Sequence, residues 1–225
     1  ADPVALRQVF RLGLPIGLTS LAESGLFQAS ALMMGWIGTL ELAAHGIALE
    51  ITAMAFMVHL GLSNAATVRV GRAHGRRDQA AMGRAALAAI ALSGLFAVIM
   101  VAMFLIFAEP LIALFLETEN PDAPRIIAFG ATLLAVAALF QVTDAMQALA
   151  LGLLRGMEDT NIPMWIAAIS YWLIGMPASY ILAFTLGFGG PGIWFGLVVG
   201  LTVAGIALML RFWRLHGALG ASAQA

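Results

Sequence analysis

Between Arg84 and Glu109 the chain reads AALAAIALSGLFAVIMVAMFLIFA, residues 85–108, 24 positions without a charged side chain. At 1.5 Å per residue such a helix is about 36 Å long, enough to cross a hydrocarbon core about 30 Å thick. Its apolar residues occupy every side of the helical circumference, so no face of it prefers water. The stretch therefore belongs in lipid, and the remainder of the sequence repeats its character.

Of the 225 residues, 62% are hydrophobic and 10% charged, and the mean hydropathy is +0.97. Soluble domains are about half apolar and about a quarter charged. Apolar segments separated by polar or Gly/Pro-rich breaks predict helices at 12–37, 42–68, 80–108, 125–151, 162–187 and 192–214. The fold class expected is an all-α membrane protein, with residues 1–225 forming a single six-helix transmembrane unit. Arg7 and Arg11 lead into a segment too long and too polar in its middle for a signal-peptide core, so the first helix is expected to be retained. The opening Ala1-Asp2-Pro3 has no initiator Met, as expected of a trimmed or partial product.

Charge supplies the orientation. All 11 cationic side chains are Arg. Under the six-helix layout Arg7, Arg11, Arg69, Arg72, Arg76, Arg77, Arg84, Arg155, Arg211 and Arg214 fall at one membrane side, and Arg125 at the other. The positive-inside rule makes the first side cytoplasmic and places both termini there. Glu109, Glu117, Glu119 and Asp122 crowd the opposite loop. The lysine-free composition, rich in Ala and Gly, is that expected of a GC-rich bacterial genome, and the location expected is the bacterial inner membrane.

Gly192, Gly196 and Gly200 form a ridge at four-residue spacing on the last helix, which predicts close helix packing. Pro177 lies within the fifth helix and predicts a kink, whereas Pro15 reads as an N-terminal helix proline. Trp165, Trp172, Trp194 and Trp213 read as interfacial anchors or packing residues. The Met residues, including Met33, Met34, Met54 and Met57, read as core or lipid-facing filler ahead of a drug-binding surface.

A carboxylate near the centre of a membrane helix costs about 2.5–3.5 kcal/mol on insertion scales, so it marks a cavity or a partner. Glu23 lies mid-way along the first helix with Thr19, Ser20, Ser24 and Gln28 at helical spacings. Asp144 lies in the fourth, flanked three residues away by Gln141 and Gln147. Such carboxylates with amides and hydroxyls can bind a hard cation such as Na+, or a proton; the competing structural role is interhelical hydrogen bonding. Glu50 is a third carboxylate, placed near the outer interface. His45, Thr52 and His59 recur every seven residues on the second helix as a candidate lining face. His45 and His59 stand about 21 Å apart along the axis and cannot share a metal.

Several chemistries are excluded by what the sequence lacks. There is no cysteine, hence no disulfide or thiolate site. No Walker A pattern or HExxH pair occurs, so neither ATP-driven pumping nor zinc proteolysis is expected of this chain. No cofactor and no nucleic-acid partner is expected. The basic segment from Arg69 to Asp78 reads as a topology-setting loop able to attract anionic lipid headgroups.

Several stretches together resemble the second six-helix half of MATE (multidrug and toxic compound extrusion) exporters of the NorM-like branch. They are Leu12-Gly13-Leu14-Pro15-Ile16-Gly17 followed by Glu23; Met33-Met34-Gly35 through Leu42-Ala43-Ala44-His45; and Gly61-Leu62-Ser63-Asn64 through Gly71. Phe140-Gln141 with Asp144 and Gln147, Leu154-Arg155-Gly156 with Asp159-Thr160, and Ser170-Tyr171-Trp172 through Pro177 follow in family order. The resemblance implies a twelve-helix fold of two lobes, with this chain as the C-lobe and the N-terminal lobe absent from it. It implies export of organic cations and drugs by antiport with Na+ or H+, and it places Glu23 and Asp144 at the family's cation-coupling positions. His59, Gly46 and Glu50 depart from the residues common there. A half-size homodimer of two copies of this chain, or a lipid flippase or lipid-linked membrane protein, are the alternative readings.

Overall fold

The computed structural model describes residues 3–116 and 121–222. Glu117 and Glu119, expected opposite the arginines, lie outside them, as do Ala1 and Asp2. The order is α1 (Pro3–Ile37), α2 (Thr39–Gly75), α3 (Gln79–Ile106), a short α4 (Ala108–Ala113) and α5 (Ala123–Gly156). A continuous rod then combines α6 (Asn161–Ile169), a π-helical turn (Ser170–Gly175), α7 (Met176–Tyr180) and a second π segment (Ile181–Thr185), and α8 (Gly189–Ser222) closes the bundle. Thr39–Gly75, Gln79–Ile106, Ala123–Gly156, Asn161–Thr185 and Gly189–Leu219 are long and apolar enough to cross a membrane. The 35-residue α1 has the length, but its hydropathy is diluted by the polar stripe around Glu23.

Helix α5 is the hub, packed against α2, α3, α4 and α8, while α1 leans on α2, α6 and α8. Small residues and hydroxyls set the α2–α5 seam. Ser63 Oγ donates to the Ala148 carbonyl at 2.8 Å and Thr67 Oγ1 to the Gly152 carbonyl at 2.8 Å. A Cβ at Gly156 would stand 2.8 Å from the Thr67 carbonyl oxygen, so only glycine permits this approach. The predicted ridge of α8 packs in the same way on the α6–α7 rod. A Cβ at Gly192 would lie 2.7 Å from the Ala183 nitrogen, one at Gly200 2.8 Å from Gly175 Cα, and one at Gly196 would collide with the Ser179 backbone. Leu87, Leu95, Val98 and Ile106 of α3 remain exposed, as suits a lipid-facing surface.

Pro15 behaves differently from expectation. Helix α1 begins at Pro3, so Pro15 is buried inside it and not at its start. The segment Val4–Leu14 carries good helix formers, and Thr19 Oγ1 donates to the Pro15 carbonyl at 2.8 Å. At Pro177 the chain widens before the ring: the Met176 N–H reaches back to the Tyr171 carbonyl, five residues earlier, and Pro177 falls in the first turn of α7. A π turn followed by a first-turn proline accommodates the missing N–H. Trp194 is also no interfacial anchor, being fully buried with its Nε1 donating to His45 Nδ1 at 3.1 Å.

One end of the bundle is tied across helices. Gln79 Nε2 donates to the His216 carbonyl at 2.7 Å, and Arg211 Nε pairs with Asp159 Oδ2 at 2.5 Å, joining α8 to the start of α3 and to the α5–α6 loop. Asp78 caps α3 by accepting the Ala81 N–H at 2.9 Å. Both α2 and α5 close on a residue in the left-handed region, Arg77 (φ 56°) and Glu158 (φ 59°). A side chain there costs about 1 kcal/mol relative to glycine. Glu158→Gly is therefore expected to stabilise the fold by up to about 1 kcal/mol, read as a higher thermal midpoint in detergent; an unchanged or lower midpoint contradicts it.

Candidate cation and substrate site

The polar stripe of α1 and that of α5 meet beside α2. Two cavities adjoin there, of 310 Å³ and 200 Å³, and the side chains of Glu23 and Phe56 border both. The larger is lined by Glu50 and Thr52 of α2 and by Phe140 and Asp144 of α5. The smaller is lined by Ser20, Ser63, Gln147 and Arg155. Glu23, half-buried, thus stands between the Asp144 side and the Arg155 side.

On α5 the residues Asp144, Gln147, Leu151 and Arg155 follow at spacings of three, four and four, which keeps them on one helical face. Arg155 lines the smaller cavity with Glu23, and Asp144 the larger one with the same Glu23. Among the described residues, only Arg125–Asp122 and Arg211–Asp159 come to ion-pair distance, so Arg155 and Glu23 share a cavity without pairing. Tyr171 is fully buried in the π turn that precedes Pro177.

Several buried polar atoms here make no hydrogen bond: Asp144 Oδ1, both amide atoms of Gln141 and of Gln147, and the Tyr171 hydroxyl. An unpartnered buried donor or acceptor costs about 1–3 kcal/mol. Two carboxylates with the Gln147 amide oxygen at the adjoining cavity form a donor set suited to a hard monovalent cation or a proton. Glu23, Glu50 and Asp144 all border the larger cavity, but among the described residues no three His, Asp or Glu side chains stand close enough together to hold one metal ion.

The other sequence candidates are distributed differently. Thr52 borders the larger cavity, although its hydroxyl is occupied by the Leu49 and Ala48 carbonyls at 2.8 and 3.1 Å. Glu50 is exposed at that cavity. Thr19 is buried and bonded within α1, and Gln28 is exposed outside both cavities. His45 sits in the core against Trp194, and His59 bonds Ser93 at 2.8 Å beside Phe96. The seven-residue recurrence of His45 and His59 is thus met by core partners on α8 and α3 and not by a cavity, because apolar neighbours at both sites leave one polar partner for each ring. Gln141 is buried on α5. Arg155 and Tyr171 were not singled out as site residues from the sequence. The spacing from Asp144 to Arg155 carried a signal for the first, whereas Tyr171 needed the packing of the π turn.

The MatE family model matches residues 15–181. The chain is 47% identical over 95% of its length to the probable multidrug resistance protein NorM of Rhizobium meliloti (strain 1021), covering 46% of that protein. It is 43% identical over 96% of its length to the NorM of Pseudomonas putida, covering 47% of that protein. The chain thus spans about half the length of these relatives, aligning with their C-terminal half. Among solved structures the fold matches MATE in complex with MaL6 (TM-score 0.88, 24% identity, 98% of this chain and 49% of that one). It also matches MATE in the bent conformation (TM-score 0.89, 22% identity, 100% of this chain and 49% of that one). Helices that pair as one MATE lobe, and a family match across most of the sequence, make this chain a multi-pass membrane protein that belongs to the MatE family and corresponds to the C-terminal half of its members.

Proposed function

We propose that the chain serves as the C-terminal lobe of a secondary multidrug exporter, expelling organic cations in exchange for inward Na+ or H+. In this role all six long helices, α1 included, cross the bacterial inner membrane, with both termini and the arginine-bearing end in the cytoplasm. The observation that carries the reading is the meeting of Glu23 and Asp144, from two different helices, at adjoining cavities among unpartnered polar atoms. The naming of the relatives as multidrug resistance proteins supports the substrate class. A second six-helix lobe, equivalent to the other half of those relatives, completes the drug cavity.

The mechanism is exclusive occupancy. A coupling cation bound by Glu23 and Asp144 removes the negative charge that holds a cationic drug, so it favours drug release. Drug arrival from the other side favours ion departure. Net exchange requires that each ligand bind the inward- and outward-open states unequally. Arg155, which lines the smaller cavity with Glu23, supplies a fixed positive charge near the carboxylate when the cation has left.

The test is efflux of ethidium from proteoliposomes holding this chain, alone and together with the N-terminal half of a NorM relative, under imposed Na+ and proton gradients. Gradient-driven efflux in either preparation supports the reading, and the effective gradient identifies the ion. Efflux from neither, with both halves folded and associated, overturns it.

A further inference from the structure

A cavity of 510 Å³ lies away from the carboxylates, in a furrow between the end of α2 and the start of α3. Four arginines line it: Arg69, Arg72 and Arg76 of α2 and Arg84 of α3. All four are exposed, and none is at ion-pair distance from a carboxylate among the described residues. The nearest acidic side chain in sequence, Asp78, is engaged in capping α3. Alanines, seven in all, form most of the remaining wall, and their small side chains leave the furrow open.

The furrow is amphipathic along its length. Leu62 and Leu92 close its apolar end. Leu62 lies fourteen residues before Arg76 on α2, about 21 Å along the axis, and Leu92 lies eight residues beyond Arg84 on α3, about 12 Å. Because α2 and α3 are antiparallel neighbours, their leucines both point towards the hydrocarbon and their arginines towards the headgroup layer. A free anion would use only the charged end. A diacyl phospholipid uses both, its phosphate among the guanidinium groups and an acyl chain along the alanines. Guanidinium forks match phosphate oxygens bidentately.

From this geometry we infer that the α2–α3 furrow is a binding site for an anionic phospholipid, recognised by its phosphodiester headgroup and one acyl chain. The site is separate from the Glu23–Asp144 cavities and independent of the exchange mechanism proposed above. Its ligand chemistry is that of phosphatidylglycerol or cardiolipin, as opposed to zwitterionic lipid.

Native mass spectrometry of the purified chain in neutral detergent tests it, with phosphatidylglycerol, phosphatidylethanolamine and inorganic phosphate as probes. Phosphatidylglycerol is expected to bind at least about tenfold more tightly than phosphatidylethanolamine. Arg72→Gln/Arg76→Gln is expected to lower that affinity by about tenfold or more, and Ala88→Leu, which fills the furrow without touching charge, to lower it as well. Arg211→Gln/Arg214→Gln, the same charge change on α8, leaves it intact. Equal binding of the two lipids, equal loss in the α8 variant, or displacement by inorganic phosphate at matched concentration each overturns the assignment. Circular dichroism of every variant separates lost binding from lost fold, and the Ala88 variant keeps the test decisive should the arginine variant insert poorly.

Discussion

Glu23→Gln is expected to slow gradient-driven efflux of an organic cation, measured with the second lobe present, by at least about tenfold, equivalent to losing about 1.4 kcal/mol of differential binding, while membrane insertion is retained. Asp144→Asn is expected to do the same. The substitution keeps size and polarity, so packing around α1, α2 and α5 is preserved; what disappears is the ability to carry negative charge and to release a proton. Insertion should improve slightly, because an amide is cheaper than a carboxylate in a bilayer. The two residues share one cavity. Their double variant is therefore expected to lose little beyond the worse single variant, the non-additivity of groups acting as a unit. Efflux measured in proteoliposomes with the second lobe present decides the matter. If both single variants export at the parental rate, the coupling role of this pair is wrong; if the losses simply multiply, the two act separately.

The other large effect is on the fold. Gly196→Leu is expected to lower the thermal midpoint in detergent by at least about 5 °C and to broaden the size-exclusion peak, although leucine makes α8 more apolar and so easier to insert. Gly196 meets the backbone of Ser179 with no room for a Cβ, and Ser179 Oγ donates to the Ile193 carbonyl at 2.9 Å across the same contact. A larger side chain must push α8 away from the rod, which breaks that bond and opens the neighbouring Gly192 and Gly200 contacts. Gly217→Leu, where nothing stands within 4 Å of the added Cβ, is the matched control and should leave the midpoint unchanged. A parental midpoint for Gly196→Leu would show that the ridge is not needed for the α8 contact.

These two expectations draw on different levels of information. The helices and their break points were legible in the sequence because lipid leaves a helix no alternative to satisfying its own backbone, so long apolar runs mark them directly. The predicted break at Gly38 falls at an observed helix end, whereas α2 stays helical through Gly75 and α5 through Gly156, so most of the Arg69–Asp78 segment read as a loop is the last two turns of α2. Glu23 and Asp144 were legible for a similar reason: a charge inside an apolar run is costly, and a residue that persists there stands out. The glycine ridge of α8 was legible as a spacing, though not its partner.

What the one-dimensional pattern could not contain is which faces meet. Periodicity put His45, Thr52 and His59 on one stripe, yet the packing gives the two histidines separate core partners, Trp194 and Ser93, and leaves Thr52 at the cavity. Arg155 reads in the sequence as one more cytoplasmic arginine, and only the fold sets it at the cavity that Glu23 and Gln147 also line, while Tyr171 is buried in the π turn before Pro177. The furrow between α2 and α3 likewise exists only where two alanine-rich faces lie side by side. The sequence by itself thus determined the solvent, the helices and the identity of the charged residues that lipid would not tolerate, since each is a property of single segments against a uniform medium. The tertiary structure alone decided their company, because helix rotation and backbone approach depend on small residues facing small residues across segments far apart in the chain.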